Sequence, residues 1–303
     1  MKTKILHSYG NNEINEYEFD LGEMLPNQML IKTTYTGICR SDIDQYLGHI
    51  EIPYGHFGHE SIGEVIDVGA EVNDFKIGDY VASRNDPAFS EYFYADEHNT
   101  IKVSENNTKY IIEPIACSVN IAERMLSFIQ EDSNILFVGS GFIANIAAQY
   151  IRHLHKNINI YVIGSHNKKQ WQDIDTKFID WNTASNMKFK NIVELSGKRS
   201  NLEQILTIAA TGANICVGAA LDEPLTTTFW NMLWNNYTLL FPSPRDKNFH
   251  KYMKKSEACI YLNYINVEWA WTHEYKASDF KRAFEESVLR KTTKPFVRSY
   301  IKW

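Results

Sequence analysis

Three side chains of different donor type stand at separated points of the chain: Cys39 in Gly37-Ile38-Cys39-Arg40-Ser41-Asp42, His59 in Gly58-His59-Glu60, and Glu113 directly before Pro114. Singly each is a weak signal, since a lone cysteine is usually a small buried hydrophobe and a lone histidine is usually structural. Together, a thiolate, an imidazole and a carboxylate form the mixed donor set with which a protein holds a catalytic zinc while leaving a fourth position for water or substrate. Glu60 is the alternative third donor, or else a carboxylate packed behind the ligands. The other cysteines, Cys117, Cys216 and Cys259, are scattered, and no pair has the C-x-x-C spacing of a structural zinc site. The expectation is one metal ion per chain and no disulfide framework.

A second constellation is Gly139-Ser140-Gly141-Phe142-Ile143-Ala144, a G-x-G-x-x-A pattern that follows a buried-type strand at 134–138 and opens a helix at 142–155. The first glycine permits the tight turn, the second lets backbone approach a pyrophosphate, and Ala144 allows close packing of helix on strand. The helix N-terminus offers N–H groups and a positive dipole end to the phosphates. A glycine-rich turn without a ligand is the plainer alternative. The next strand, 158–163, ends in Gly164-Ser165-His166-Asn167-Lys168-Lys169, where an NAD site usually carries a carboxylate for the ribose 2′-hydroxyl. Here Ser165, His166 and Lys168 can meet a 2′-phosphate, so NADP(H) is favoured over NAD(H). An ordinary solvated basic turn is the bland reading.

These groups need two kinds of scaffold. Short alternating runs at 29–35, 63–68, 80–82 and 92–95 predict a β-rich module. After Pro114 the periodicity changes to a helix at 115–129, then to strands at 134–138, 158–163, 191–195, 214–217 and 237–241. Helices at 142–155, 201–211 and 227–235 alternate with them, the signature of a doubly wound parallel sheet. A helix at 278–289 and a strand-like 296–303 close the chain and suggest a return to the first module.

The segments GICRSD, GHFGHESIGEVIDVG, FKIGDYVA, AFSEYFYADEHN and EPIACSVNIAERM, followed by the G-x-G-x-x-A unit, resemble the zinc-dependent medium-chain dehydrogenase/reductase (alcohol/polyol dehydrogenase) family over nearly the whole chain. EPIACSVNIA is similar to the sorbitol dehydrogenase branch, where a glutamate replaces the second zinc-binding cysteine of the alcohol dehydrogenases. Gly164-Ser165 resembles NADP-preferring members, and the C-terminal half has a fainter likeness to ribulose-5-phosphate reductases. The resemblance implies a GroES-like β-rich catalytic domain plus a Rossmann doubly wound domain. It makes Cys39, His59 and Glu113 the zinc ligands and Glu60 the adjacent acid. It makes Ser41 the first member of a proton relay, a role that helix capping could accompany. It takes Arg40 to the cofactor pyrophosphate, and places Ser196 and Gly218 where the family lines its nicotinamide pocket with backbone. Departures carry information as well. Only residues 82–88 stand where many relatives insert a lobe with a structural zinc, so that zinc is expected to be absent. The outer relay position, often histidine, is Asp44.

The chain has 303 residues, 44% hydrophobic and 22% charged, with a net charge of −6. That amount of burial material excludes a disordered chain, and the acidic balance without charge blocks argues against nucleic acid or an anionic membrane as a partner. The N-terminus turns polar by residue 7 and lacks the apolar region of a secretory signal, so a cytoplasmic location is expected. Taken together, the chain reads as an α/β protein with a catalytic domain at 1–115 and 265–303 and a dinucleotide-binding domain at 116–264. The expected activity is zinc-dependent NADP(H) oxidoreduction between a secondary alcohol and a ketone by hydride transfer, on a polyol, a ketose or its phosphate. Rival readings are a zinc-free NADPH reductase of the same fold and a cofactor-binding regulatory protein without catalysis. Gln45, Tyr46 and His49 are candidate substrate contacts, with Arg84 or Arg245 for a phosphate. A homodimer or homotetramer is expected from family habit and from the apolar run at 237–241.

Overall fold

Strand-forming alternation in the first third and the tail is realised as a mixed, largely antiparallel sheet, whereas the middle of the chain alternates strand and helix. In the computed structural model, which describes residues 1–130, 133–227 and 229–303, the elements follow in order. They begin with β1 (Lys2–Gly10), β2 (Glu13–Asp20), β3 (Gln28–Gly37), α1 (Arg40–Leu47), β4 (Ser61–Val68), β5 (Tyr80–Ser83), β6 (Tyr92–Asp96) and β7 (Thr100–Lys102). Next come α2 (Glu113–Leu126), β8 (Asn134–Val138), α3 (Phe142–Leu154), β9 (Asn159–Ile163), α4 (Lys168–Gln172), β10 (Thr176–Phe178), α5 (Trp181–Met187), β11 (Asn191–Glu194) and α6 (Arg199–Ile208). The chain ends with β12 (Asn214–Val217), α7 (Phe229–Trp234), β13 (Thr238–Leu240), α8 (Phe249–Tyr261), β14 (Trp271–Lys276), α9 (Phe280–Leu289) and β15 (Arg298–Lys302). Thr228, inside the helix expected at 227–235, lies outside the described residues.

Two compact units result: 1–116 with 250–303, and 117–249. The chain therefore returns to the first unit at His250, ahead of the residue 265 expected from the sequence.

In the first unit, β3 is the organising strand. It pairs antiparallel with β4, β6 and β15, within a sheet ordered β14-β15-β3-β4-β5-β7. The register Tyr300↔Gly37 and Ile301↔Thr36 brings the tail beside the segment leading to Cys39. One side of this unit buries Met29, Ile31, Val65, Val81, Phe93 and Ala95. A second cluster, including Leu6, Ile43, Tyr46, Phe57, Phe89 and Phe284, packs α1 and α9 on the sheet. Each such side chain contributes roughly 1.5–3 kcal/mol of burial. The β1–β2 hairpin, whose turn residues Asn11 and Asn12 take positive φ, is not in the sequence expectation, and neither are α1 and α8.

In the second unit, parallel strands run in the order β10-β9-β8-β11-β12-β13. The order reverses between β8 and β11, and ligands of such sheets bind outside the carboxyl ends at that point. Leu136, Ile192, Leu202, Ile205, Leu206 and Ile215 form part of the core between sheet and helices. The expected strands and helices are present here with ends shifted by a few residues, as for α6, which stops where Ala209 leaves the helical region at ψ 145°.

Candidate functional site

Cys39 is the N-cap of α1, with extended backbone at φ −85° and ψ 162°. Asp42, three residues on, accepts the Cys39 N–H at 2.8 Å, one arm of a capping box. That bond fixes the thiol at the mouth of the helix. Asp42 is fully buried, and its second oxygen lies 3.6 Å from His59 Nδ1. His59 and Glu60 come from the segment just before β4, where the Gly37 N–H donates to the Glu60 carbonyl at 2.8 Å. Gly37 is required at this point because a Cβ there would collide with the Glu60 carboxylate.

Ligand atoms of Cys39, His59 and Glu60 all lie within 4.8 Å of one another. Glu60 accepts a hydrogen bond from Arg298 through Oε2, while its Oε1 and Asp42 Oδ1 are buried without a hydrogen-bond partner among the described residues. A cation would satisfy such orphaned oxygens, and sulfur, nitrogen and carboxylate oxygen together suit zinc. Glu113, expected as the third donor, is 3% exposed at the first turn of α2 and lies outside this 4.8 Å group, with its Oε1 3.8 Å from Arg84 Nε.

The electrostatics follow from burying several like charges. Burial raises the Asp42 carboxyl to about 7, against the opposing pull of His59. Burial also pushes the Cys39 thiol up, with the Glu60 charge adding to it and His59 offsetting it. Burial alone would lower His59, but Asp42 and Cys39 carry it well above its ordinary value. The result is a set of desolvated acidic groups set against His59, Arg298 and Arg84, and a divalent cation could replace the His59 proton as their counter-charge.

The remaining first-unit candidates spread out. Ser41 is half-buried in the first turn of α1. Asp44 pairs with Arg40 at 3.1 Å and with His49 at 3.4 Å, so both Arg40 and His49 are held along the helix surface. Gln45 and Tyr46 are not pocket residues: Gln45 donates to the Ser8 carbonyl and Tyr46 packs on Phe284 at 5.5 Å. The helix turns both inward, Tyr46 against α9 and Gln45 against β1.

In the second unit, Gly139 takes φ +108°, and a Cβ there would lie 2.7 Å from the Leu195 and Ser196 backbone. Ser140 is buried and acts as a latch. Its Oγ accepts the His166 N–H at 3.0 Å, and its carbonyl accepts from Asn167 Nδ2 at 3.0 Å and Trp171 Nε1 at 3.2 Å. Gly141 caps α3 in extended backbone at φ −77°, and a helix N-terminus of this kind can offer N–H groups to an anion. Ser165, His166 and Lys168 are exposed, with Ser165 Oγ 3.3 Å from His166 Nδ1 and the Lys168 ammonium over the Phe178 ring at 5.7 Å. Ser196 and Gly218 follow β11 and β12, where the Gly218 N–H donates to the Glu194 carbonyl at 3.0 Å. Arg245 belongs to this unit as well.

Sequence reasoning passed over two residues. Arg298 carries the ion pair to Glu60 and also lies over the Trp271 ring at 4.9 Å. Glu194 is fully buried and accepts the Ser196 N–H at 2.7 Å and its hydroxyl. An arginine in the tail has no local pattern that ties it to a site far earlier in the chain.

Comparison with known proteins agrees with this architecture. Residues 25–105 match the alcohol dehydrogenase GroES-like domain. The chain is 22% identical to the L-threonine 3-dehydrogenase of Coxiella burnetii (strain Dugway 5J108-111), over 88% of this chain and 91% of that protein. Among solved structures, galactitol-1-phosphate dehydrogenase from Escherichia coli superposes with a TM-score of 0.81 at 18% identity, covering all of both chains. The short chain alcohol dehydrogenase rspB of E. coli CFT073, solved with NADH, gives a TM-score of 0.84 at 18% identity, covering 100% of this chain and 99% of that one. With residues 25–105 matching the alcohol dehydrogenase GroES-like domain and a Rossmann-like second unit, the chain has the fold of these dehydrogenases.

Proposed function

We propose that the protein is a zinc-dependent NADP(H) oxidoreductase that interconverts a secondary alcohol and a ketone, acting on a polyol, a ketose or a ketose phosphate. The observation that carries the reading is the convergence of Cys39, His59 and Glu60 ligand atoms within 4.8 Å around orphaned buried oxygens. When bound, zinc supplies Lewis acidity at the substrate oxygen, and the nicotinamide gives or takes the hydride.

The chain's own residues do the rest. Cys39 and His59 hold the ion, with Glu113 as third donor; Glu60, which has a carboxylate oxygen within 4.8 Å of both the Cys39 and the His59 ligand atoms, is the alternative. Asp42 steadies the His59 ring from Nδ1, and Arg298 fixes the Glu60 carboxylate. Ser41, in the first turn beyond Cys39, passes the proton between substrate oxygen and solvent, and Asp44 stands one helical turn further along. The α3 N-terminus binds the pyrophosphate, with Arg40 as a further contact, and the exposed Ser165, His166 and Lys168 receive the 2′-phosphate. Ser196 and Gly218 offer backbone to the nicotinamide.

The substrate class extends to what relatives act on, L-threonine and galactitol 1-phosphate among them. A screen of NADPH and NADH oxidation over ketoses, ketose phosphates and amino-ketones, on protein of measured zinc content, tests the reading. Zinc well below one per chain in active protein refutes the metal, and a clear preference for NADH refutes the cofactor assignment.

A homo-oligomer completes the proposal. Phe229, Trp230, Leu233, Trp234 and Phe241 are exposed beside the open edge of β13, an apolar surface that a second copy would cover. A cytoplasmic location remains part of the same reading; among the described residues no helix is long and apolar enough to cross a membrane.

A further inference from the structure

The last row of the parallel sheet reads Val138, Glu194 and Val217 across β8, β11 and β12, since the register pairs Glu194 with both valines. Gly139 and Gly218 follow those valines directly, so the row stands at the carboxyl ends where the strand order reverses. A carboxylate is out of place in a central parallel strand, which is covered on both faces and apolar along its length. Glu194 is nevertheless 0% exposed. Its Oε1 accepts the Ser196 N–H at 2.7 Å and the Ser196 hydroxyl. Its Oε2 has no hydrogen-bond partner, and no cationic side chain pairs with it among the described residues.

Part of what this group does is fastening. Ser196 Oγ in turn accepts the Lys198 N–H at 3.2 Å and a bond from Asn201 Nδ2 at 2.9 Å. The fastened backbone packs on the glycine-rich turn, where a Cβ on Gly139 would lie 2.7 Å from the Leu195 carbonyl carbon and the Ser196 nitrogen. An uncharged glutamine could accept the same two bonds, so fastening does not need the charge. Burial raises the Glu194 carboxyl, Ser196 and Gly197 offset this by hydrogen bonding, and Asp222 adds a like charge. A buried carboxylate without an opposite charge is costly, and a cationic ligand beside it would lower that cost. With phosphates at the α3 N-terminus and the adenosine ribose at the end of β9, the second mononucleotide half of a dinucleotide falls to the ends of β11 and β12. Its nicotinamide ring is a cation when oxidised and neutral when reduced.

We propose that Glu194 is a specificity-determining residue for the redox state of the cofactor: its carboxylate, buried at the end of β11, favours the oxidised, cationic nicotinamide over the reduced, neutral one. Glu194 acts through its charge rather than by contact, and the Ser196 loop holds that charge in place. The proposal rests on the dinucleotide part of the reading above and is independent of the zinc and of the 2′-phosphate.

The test is calorimetric titration of the full-length protein with NADP+ and NADPH, and with NAD+ and NADH. For whichever couple binds tighter it reads the ratio of dissociation constants, oxidised over reduced. Glu194→Gln keeps an oxygen for Ser196 and removes the charge, so the ratio is expected to rise about 3- to 10-fold, almost entirely through weaker binding of the oxidised form. Ser196→Ala keeps the charge and removes the hydroxyl bond; it should weaken both forms together and leave the ratio near the parent's. Glu194→Asp also keeps the charge, and its ratio should stay near the parent's even where both affinities fall, which gives a reading if the glutamine variant does not fold. Equal weakening of both forms by Glu194→Gln overturns the proposal and leaves Glu194 as a fastening of the loop alone. A shifted ratio in Glu194→Asp or Ser196→Ala overturns it too. A parent protein that binds neither couple overturns the cofactor reading and this proposal with it, whereas a parent that binds both forms with a ratio untouched by Glu194→Gln overturns the proposal alone.

Discussion

Arg298 and Glu60, 238 residues apart in the chain, share a buried ion pair at the centre of the candidate site. The side chains are 11% and 0% exposed, so removing one partner strands the other's charge in a medium that solvates it poorly. Arg298→Met is expected to destabilise the first unit by about 3–5 kcal/mol. The Glu60→Gln/Arg298→Met double variant should recover a substantial part of that loss. Urea unfolding of the two variants and the parent measures both quantities; a double variant no better than the single one would show that the pair is not coupled.

Cys39→Ala should lose its zinc and its turnover while keeping NADPH affinity, because cofactor contacts in the second unit do not depend on the thiol. Glu113→Gln and Glu60→Gln separate the two carboxylate assignments, since only the true third donor should reduce zinc affinity by a factor of ten or more. Metal analysis after dialysis against a weak chelator reads the result. Gly37→Ala should mimic the Glu60 variant and add a loss of stability, because its methyl group would displace that carboxylate.

Cofactor choice is expected to depend on the exposed turn after β9. Replacing His166 and Lys168 together by alanine should weaken NADPH about tenfold or more and leave NADH nearly unchanged, since charge-assisted bonds to a phosphate are the contacts removed. Titration of cofactor fluorescence measures both constants. By contrast, Gly139→Ala should impair both cofactors, because φ +108° and the neighbouring Leu195–Ser196 backbone leave no room for a methyl group.

His7 gives a signed dependence on pH. It is 1% exposed, neither ring nitrogen has a hydrogen-bond partner among the described residues, and burial lowers its pKa from 6.5. The unfolded chain therefore takes up a proton before the folded one. Above about 6.5 both states are neutral and His7 contributes no pH dependence; below it, stability declines until the lower folded value is passed. His7→Leu should flatten that part of the curve of Tm against pH. An unchanged slope below 6.5 would remove His7 as the source.

Trp230→Ser with Trp234→Ser should shift the protein toward monomer, measured by light scattering over a range of concentrations. The two rings stack at 5.5 Å on the exposed face of α7, so the substitutions remove apolar surface without opening the core.

Much of the second unit was legible because its signals are local. A buried strand, a G-x-G turn and an amphipathic helix follow within about twenty residues, and the turn needs the positive φ that Gly139 supplies. The β1–β2 hairpin and α8 were harder to read. Their charged residues interrupt the apolar period, and pairing partners or tertiary packing rather than local preference hold them. Gln45 and Tyr46 show the same limit: their proximity to Cys39 in sequence suggested the pocket, while the helical repeat of α1 turns them to the core.

The residue types and their order were sufficient to name a thiol, an imidazole, two carboxylates and a glycine-rich turn between strand and helix, because those features depend on which groups a chain carries. Which carboxylate faces Cys39, and which arginine is committed to it, was decided only by the folded sheet. Strand β15 pairs with β3 and delivers Arg298 to Glu60, leaving Glu113 beside Arg84. Contacts between segments so far apart are set by strand register and burial, and no local pattern in the chain encodes them.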